Sequence, residues 1–172
     1  MKVRKIALLG VLTAATIVIA IAESFIPSIG IPGVKLGLAN IMILITLYEL
    51  GVLEAIGINI ARVFVVGLVR GTFLSMGFFM SLTGAAFSLG IMILFYLLIK
   101  KFSIIGVSVI GSLFHVIGQI LVAIFYLGTG YIIYYLPIIS ISAIITGVLV
   151  GIAAKLIIKT GVIKKQKERY NF

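Results

Sequence analysis

Residues 102–154 contain no aspartate, glutamate, lysine or arginine, and most of them are apolar. This stretch is far longer than the roughly 20 apolar residues that take one helix across the hydrocarbon core of a bilayer. The turn-forming residues Gly128, Thr129 and Gly130 interrupt it. The stretch therefore predicts two membrane-spanning helices, one over about Ile104–Leu127 and one over about Ile132–Lys159.

The rest of the chain shows the same pattern of apolar runs with charges at their ends. Charged residues make up 10 % of the sequence, against about 25 % in a soluble domain. Four more helices are predicted, over about Ile6–Ile26, Leu36–Leu53 and Ala55–Val69 and within Gly71–Ile99. No run alternates as the strands of a lipid-facing barrel do. We predict an all-α integral membrane protein with about six transmembrane helices in one bundle, a single domain over 1–172 whose bundle covers 5–159.

The basic residues predict the orientation of this bundle, because lysine and arginine concentrate on the cytoplasmic side of membrane proteins. With both termini inside, the cytoplasmic residues are Lys2, Arg4, Lys5, Lys100, Lys101, Lys155, Lys159, Lys164, Lys165, Lys167 and Arg169. We expect a multi-pass protein of the cell membrane whose basic tail, 160–172, contacts lipid headgroups. The net charge of +10 belongs to these helix ends and does not indicate nucleic-acid binding.

Arg62 is the most informative single residue, because a charge inside a membrane helix is costly and normally faces a protein interior or water. Asn59, Arg62, Val66 and Arg70 recur at three- and four-residue steps, so they share one helix face. One interpretation is an anion-binding stripe that leads inward from the outer surface. The other is a structural pair between Arg62 and a glutamate, with Glu23, Glu49 and Glu54 as candidates, and Arg70 extending to the headgroups.

A second polar stripe lies on the predicted fifth helix. Ser108, Ser112, His115 and Gln119 are spaced by four, three and four residues. His115 and Gln119, one turn apart, either line a substrate cavity or hold two helices together. His115 is the single histidine and cysteine is absent, so we expect no metal site.

Small residues at four-residue steps mark helix faces that can approach each other closely. Gly84 and Ser88 on the fourth helix, with Gly147 and Gly151 on the sixth, predict packing inside the bundle. Ala7, Gly10 and Ala14 on the first helix are equally suited to contact another polypeptide.

Missing motifs limit the chemistry of the chain. The sequence has no P-loop motif for ATP phosphates and no aspartate with which to build a magnesium–diphosphate site. No nucleophile–base arrangement is visible, so no catalytic residue is assigned. The sequence favours a non-catalytic subunit without a cofactor, so any energy source or catalysis is expected to come from another subunit.

Several segments together resemble a known family. They are PGVKLGLANIMILITLYELG, SLTGAAFSLGIMILFY, GVSVIGSLFHVIGQILVA and YLPIISISAIITGVLVG, and KLGLAN and HxxGQ are the most distinctive parts. They resemble the Gx transporter family, whose members often carry the description heptaprenyl diphosphate synthase component I. That family is in turn similar to the substrate-binding (S) components of energy-coupling factor transporters, which are small six-helix membrane proteins.

The resemblance implies roles for residues already singled out. An S component captures a small molecule from outside and associates with a transmembrane coupling protein and two ATPases. By this resemblance Ala7, Gly10 and Ala14 face the coupling protein. The segment PSIGIPGVK becomes a gate with Lys35 at its entrance, the alternative being a plain connector whose lysine meets headgroups.

The function expected from these observations is capture of a small anionic or amphipathic metabolite for ATP-driven uptake. The substrate-binding residues expected are Lys35, Asn40, Asn59, Arg62, Arg70, His115 and Gln119. Phe78, Phe79, Tyr131, Tyr134 and Tyr135 are expected to cover its apolar parts. The alternative is a membrane accessory subunit of polyprenyl diphosphate synthesis that is not catalytic by itself.

Overall fold

The computed structural model describes residues 2–25, 37–99 and 102–163, without the side chains of Lys2 and Arg4. Of the described residues 86 % are helical and none lies in a strand. The helices are α1 (Lys2–Glu23), α2 (Asn40–Glu49), α3 (Val52–Val69), α4 (Met76–Leu98), α5 (Ile104–Leu127) and α6 (Leu136–Lys159), with a 3₁₀ helix (Gly130–Tyr135) before α6. The all-helical prediction is confirmed.

Five of the described helical segments are long and apolar enough to cross a membrane. The exception is α2, with 10 residues, which spans about 15 Å of a hydrocarbon core about 30 Å thick. The prediction of a helix over Leu36–Leu53 was therefore too long at both ends. The helix stops because the N–H groups of Leu50 and Gly51 both donate to the Thr46 carbonyl and Gly51 has a φ of 127°.

The side chains of α2 are surrounded by protein. Ile43, Leu44, Ile45 and Leu47 are 0 % exposed. A helix that is apolar on all sides must be enclosed by lipid or by other helices, and for these four residues the enclosure is protein. We conclude that α2 is a half-length helix inside the bundle, which a reading of hydropathy alone takes for a spanning helix.

The other helix boundaries follow local sequence signals. α5 begins after Ser103, whose hydroxyl accepts the Gly106 N–H, and ends at Gly128 with a φ of 62°, so the predicted bounds are confirmed. α3 begins at Val52, earlier than the predicted Ala55, and carries Glu54 in its first turn, where a carboxylate suits the helix dipole. Pro137 lies in the first turn of α6, where its missing N–H costs nothing.

Glycines bring α4, α5 and α6 into close contact. A Cβ at Gly118 would lie 2.8 Å from the Thr83 carbonyl oxygen, and one at Gly147 would lie 2.8 Å from the Val109 Cα. Gly84 packs against His115 and Gly151 against Ile105 in the same way. The contacts run in opposite order along neighbouring helices, so the three are antiparallel, and they confirm the predicted internal packing of Gly84, Gly147 and Gly151.

We expect Gly118→Ala to lower the free energy of unfolding by about 1–3 kcal/mol, because the new methyl group meets backbone atoms that cannot rotate away. Gly90→Ala is the matched control, since a Cβ at Gly90 meets nothing within 4 Å. Unfolding in mixed detergent micelles, followed by circular dichroism, measures both. Equal stability of the two variants would show that the α4–α5 contact is looser than described.

α1 and α3 run parallel on another side of the bundle. Lys5 Nζ lies 2.5 Å from Glu54 Oε1, which joins the beginning of α1 to the beginning of α3. Glu23 at the end of α1 and Val66 near the end of α3 line a common cavity. The basic end of α1 and this cavity therefore lie at opposite ends of the two helices.

Candidate functional site

The cavity between the ends of α1 and α3 and the facing parts of α4 and α5 is the candidate site. Its polar lining includes Glu23, Arg62, Thr72, Ser81 and His115. Its apolar lining includes Ala20, Val63, Val66 and Phe78. Small-molecule sites combine apolar walls with a few placed polar groups in this way.

Arg62 lies in the third turn of α3 and is 6 % exposed. Its Nη2–H donates to Asn59 Oδ1 at 2.9 Å and its Nη1–H donates to Asn40 Oδ1 at 3.3 Å. A guanidinium has five N–H donors, and the others have no acceptor among the described residues. The cavity wall thus presents a fixed positive charge with unused hydrogen-bond donors.

The two asparagines tie Arg62 to two further helices. Asn40 Nδ2 donates to Ser88 Oγ at 3.3 Å, and Asn59 Nδ2 donates to the Ala85 carbonyl at 3.1 Å. Because Ser88 lies midway along α4, Asn40 places the beginning of α2 in the middle of the bundle. The network holds the Arg62 guanidinium in one orientation from three helices.

Glu23 is the second buried charge of the cavity, at 5 % exposure. Its Oε1 accepts the Gly37 N–H and its Oε2 accepts the Ala39 N–H at 3.4 Å. These N–H groups immediately precede α2, where a carboxylate is favoured by the helix dipole. Glu23 therefore fastens the end of α1 to the beginning of α2.

His115 belongs to the opposite wall, on α5. The Gln119 amide Nε2 lies 3.1 Å from His115 Nε2, and an amide donor there fits a neutral imidazole with its proton on Nδ1. Gln119 is 0 % exposed and is absent from the described cavity lining, so it acts behind His115. The two residues form one unit, of which His115 faces the cavity.

The cavity is small. Its volume is about 30 Å³, which holds about two water molecules without rearrangement. The described conformation is therefore narrow, and a metabolite needs the site to widen.

The structure brings together only some of the predicted site residues. Arg62 and His115 line the cavity, while Asn40, Asn59 and Gln119 support them. Arg70 is exposed at the end of α3 and is absent from the described lining. Lys35, with the whole of the predicted gate PSIGIPGVK, lies outside the described residues. Of the predicted aromatics Phe78 lines the cavity, whereas Tyr131, Tyr134 and Tyr135 are exposed.

The predicted glutamate partners of Arg62 are engaged elsewhere or stand apart. Glu54 pairs with Lys5, and Glu23 forms no ion pair with Arg62 within 4.0 Å although it lines the same cavity. Glu23, Thr72 and Ser81 were missed as cavity residues. For Glu23 the available signal was the one applied to Arg62, a charge within an apolar run.

No metal centre is visible in the described ranges: no three histidine, cysteine, aspartate or glutamate residues there are placed to hold an ion. The described polar residues of the cavity are hydrogen-bonding groups and two opposite charges. Such a set can bind and orient a small polar molecule.

One comparison with known proteins gives a match. A family model described as heptaprenyl diphosphate synthase component I matches residues 12–157 of the 172 in the chain. No curated protein and no solved structure matches. The matched range begins within α1 and ends within α6, so it includes every described residue that lines the cavity.

Proposed function

The chain belongs to the heptaprenyl diphosphate synthase component I family, whose description implies work with partner subunits, and we propose that it is the substrate-binding membrane subunit of an ATP-driven uptake system. In this role it captures a small polar metabolite within the bilayer. Partner subunits hydrolyse the ATP and supply the coupling protein. The chain itself contributes binding and orientation, without a cofactor of its own.

The observation that supports capture most strongly is the convergence of two buried charges and His115 on one cavity. Buried charges are expensive inside a membrane protein and normally mark the route or site of a polar substrate. The structural alternative for Arg62 was a direct ion pair with a glutamate, and Glu23 forms none with it within 4.0 Å. Binding gives both charges a use in addition to the helix contacts that they already make.

The position of the cavity supports uptake from outside. It lies at the Glu23 end of α1, away from Lys5. If the basic ends of the helices face the cytoplasm, as lysine and arginine usually do, the cavity lies toward the exterior. We propose the cell membrane as the location and the outer face as the side of entry.

The exposed face of α1 supports a partner interface. Ala7, Gly10 and Ala14 are all exposed, and nothing lies within 4 Å of a Cβ built at Gly10. Small side chains allow another transmembrane helix to approach closely. We propose that the coupling protein docks on this face.

Native mass spectrometry of gently purified protein tests the capture role. We expect a small molecule of defined mass that stays bound to the wild-type chain and dissociates on denaturation. Detergent and lipid adducts, recognised by their known masses, serve as the internal control. A chain that carries no small molecule, and takes up none from a metabolite mixture, would contradict the capture role.

The family description favours a second candidate function, an accessory membrane subunit of heptaprenyl diphosphate synthesis. Direct catalysis fits poorly, because hard Mg²⁺ prefers carboxylate ligands and the sequence contains no aspartate among its four acidic residues. Mixing the purified chain with a catalytic prenyltransferase subunit tests this role. A change in prenyl-chain length or rate would favour it over capture.

A further inference from the structure

Glu23 and Arg62 are opposite charges that line one cavity without meeting. Their exposures are 5 % and 6 %, and both belong to the described lining. No Arg62 nitrogen lies within 4.0 Å of a Glu23 carboxylate oxygen. The two charges therefore line the same cavity without an ion pair between them.

The local partners of each charge hold it in place on its own side. Glu23 is fixed by the N–H groups of Gly37 and Ala39, and Arg62 by the oxygens of Asn40 and Asn59. Among the residues that the structure describes, neither group uses its full hydrogen-bonding capacity, because a carboxylate offers about four acceptor sites and a guanidinium five donors. Two buried opposite charges held apart are costly unless something polar lies between them.

We propose that the captured molecule is a small zwitterion, which deepens the proposed function and rests on it. Its cationic donor group binds the Glu23 carboxylate, and its anionic group binds the Arg62 guanidinium. The molecule thereby completes the ion pairing that the two side chains do not make with each other. Val63, Val66 and Phe78 pack against its apolar part.

The same geometry disfavours the simpler ligand classes. A dianion such as an inorganic diphosphate gains from Arg62 but meets the like charge of Glu23 in the same cavity, and like charges in a poorly solvated site repel strongly. A simple cation gains from Glu23 but is repelled by the positive charge of Arg62 in the same cavity. A wholly apolar molecule would leave both charges without a partner, which costs more than it gains.

The test uses the full-length protein in detergent, freed of bound molecules and then mixed with a protein-free metabolite extract of the expressing cells. Mass spectrometry identifies what the protein retains, and the charged groups of each retained molecule are recorded. The same extract is offered to Glu23→Gln and to the matched control Glu54→Gln, which removes a carboxylate outside the described cavity lining. Gel filtration checks that each variant is folded.

We expect the wild-type protein and Glu54→Gln to retain a zwitterion. Glu23→Gln should retain at least tenfold less of it and gain molecules that carry only anionic groups, a gain that misfolding cannot produce. Retention by the wild type of molecules with one sign of charge alone would overturn the zwitterion and leave capture standing. Retention of the zwitterion by Glu23→Gln at the wild-type level would also overturn the zwitterion proposal and leave capture standing. If the wild type retains no molecule, both the zwitterion proposal and the capture role are overturned. If Glu23→Gln does not fold, the charges of the molecules that the wild type retains decide the question.

Discussion

Arg62→Gln lowers the affinity for the captured molecule roughly 10- to 100-fold. The estimate follows from the loss of a charge-assisted hydrogen bond worth about 1.5–3 kcal/mol, with tenfold in affinity for every 1.4 kcal/mol. Glutamine retains a neutral donor, but it is shorter and cannot place a positive charge in the cavity. Equilibrium binding of the molecule identified by native mass spectrometry, to purified wild type and variant, measures the change.

Arg70→Gln is the matched control, since Arg70 lies on the same helix but is exposed and absent from the described lining. It should change affinity less than twofold, which is within the usual effect of a surface charge. Loss of Arg62 also leaves Asn40 Oδ1 without its donor, so a small decrease in thermal stability is expected. Unchanged affinity in Arg62→Gln would remove the guanidinium from the site, and equal losses in both variants would indicate a long-range charge effect instead.

Ala14→Leu abolishes ATP-driven uptake while binding of the small molecule stays at the wild-type level. Ala14 is exposed on α1, on the face that also carries Ala7 and Gly10. A leucine there holds two helix backbones apart, and close approach is what favours association within a bilayer. We expect at least a tenfold loss of co-purification with the proposed coupling protein. Uptake in cells and binding to the purified chain measure the two halves of this prediction.

Ala86→Leu provides the comparison, because Ala86 is an exposed alanine on α4, away from that face. It adds the same side chain and should leave association and uptake unchanged. If Ala14→Leu associates and transports as well as wild type, the exposed face of α1 contacts lipid only. If Ala14→Leu loses binding as well as uptake, the helix has shifted and the interface is not tested separately from the site.

The sequence predicts the long helices because their signals are local. α5 has its predicted bounds since Ser103 caps one end and Gly128 ends the other. α2 was mistaken for a spanning helix because burial by protein and burial by lipid favour the same apolar residues. Burial by protein is recognised here because Ile43, Leu44 and Leu47 are enclosed on all sides. That enclosure depends on the tertiary arrangement.

The distinction between local sequence signals and features of the tertiary arrangement also applies to the site. Arg62 stands out in the sequence because a charge within a helix demands a partner or water. Its actual partners, Asn40 and Asn59, include one from another helix. Glu23 was considered as a salt-bridge partner, but its role depends on where the beginning of α2 lies in space. No spacing rule along a chain gives the separation between two charges on different helices.

A crystal structure of the protein purified with its bound molecule tests the central claim most directly. We predict density between Glu23 and Arg62, with an atom of the bound molecule within about 3 Å of each side chain, as for charge-assisted hydrogen bonds. Density at another place in the bundle would contradict the account. So would a direct Glu23–Arg62 ion pair with no space between the two side chains.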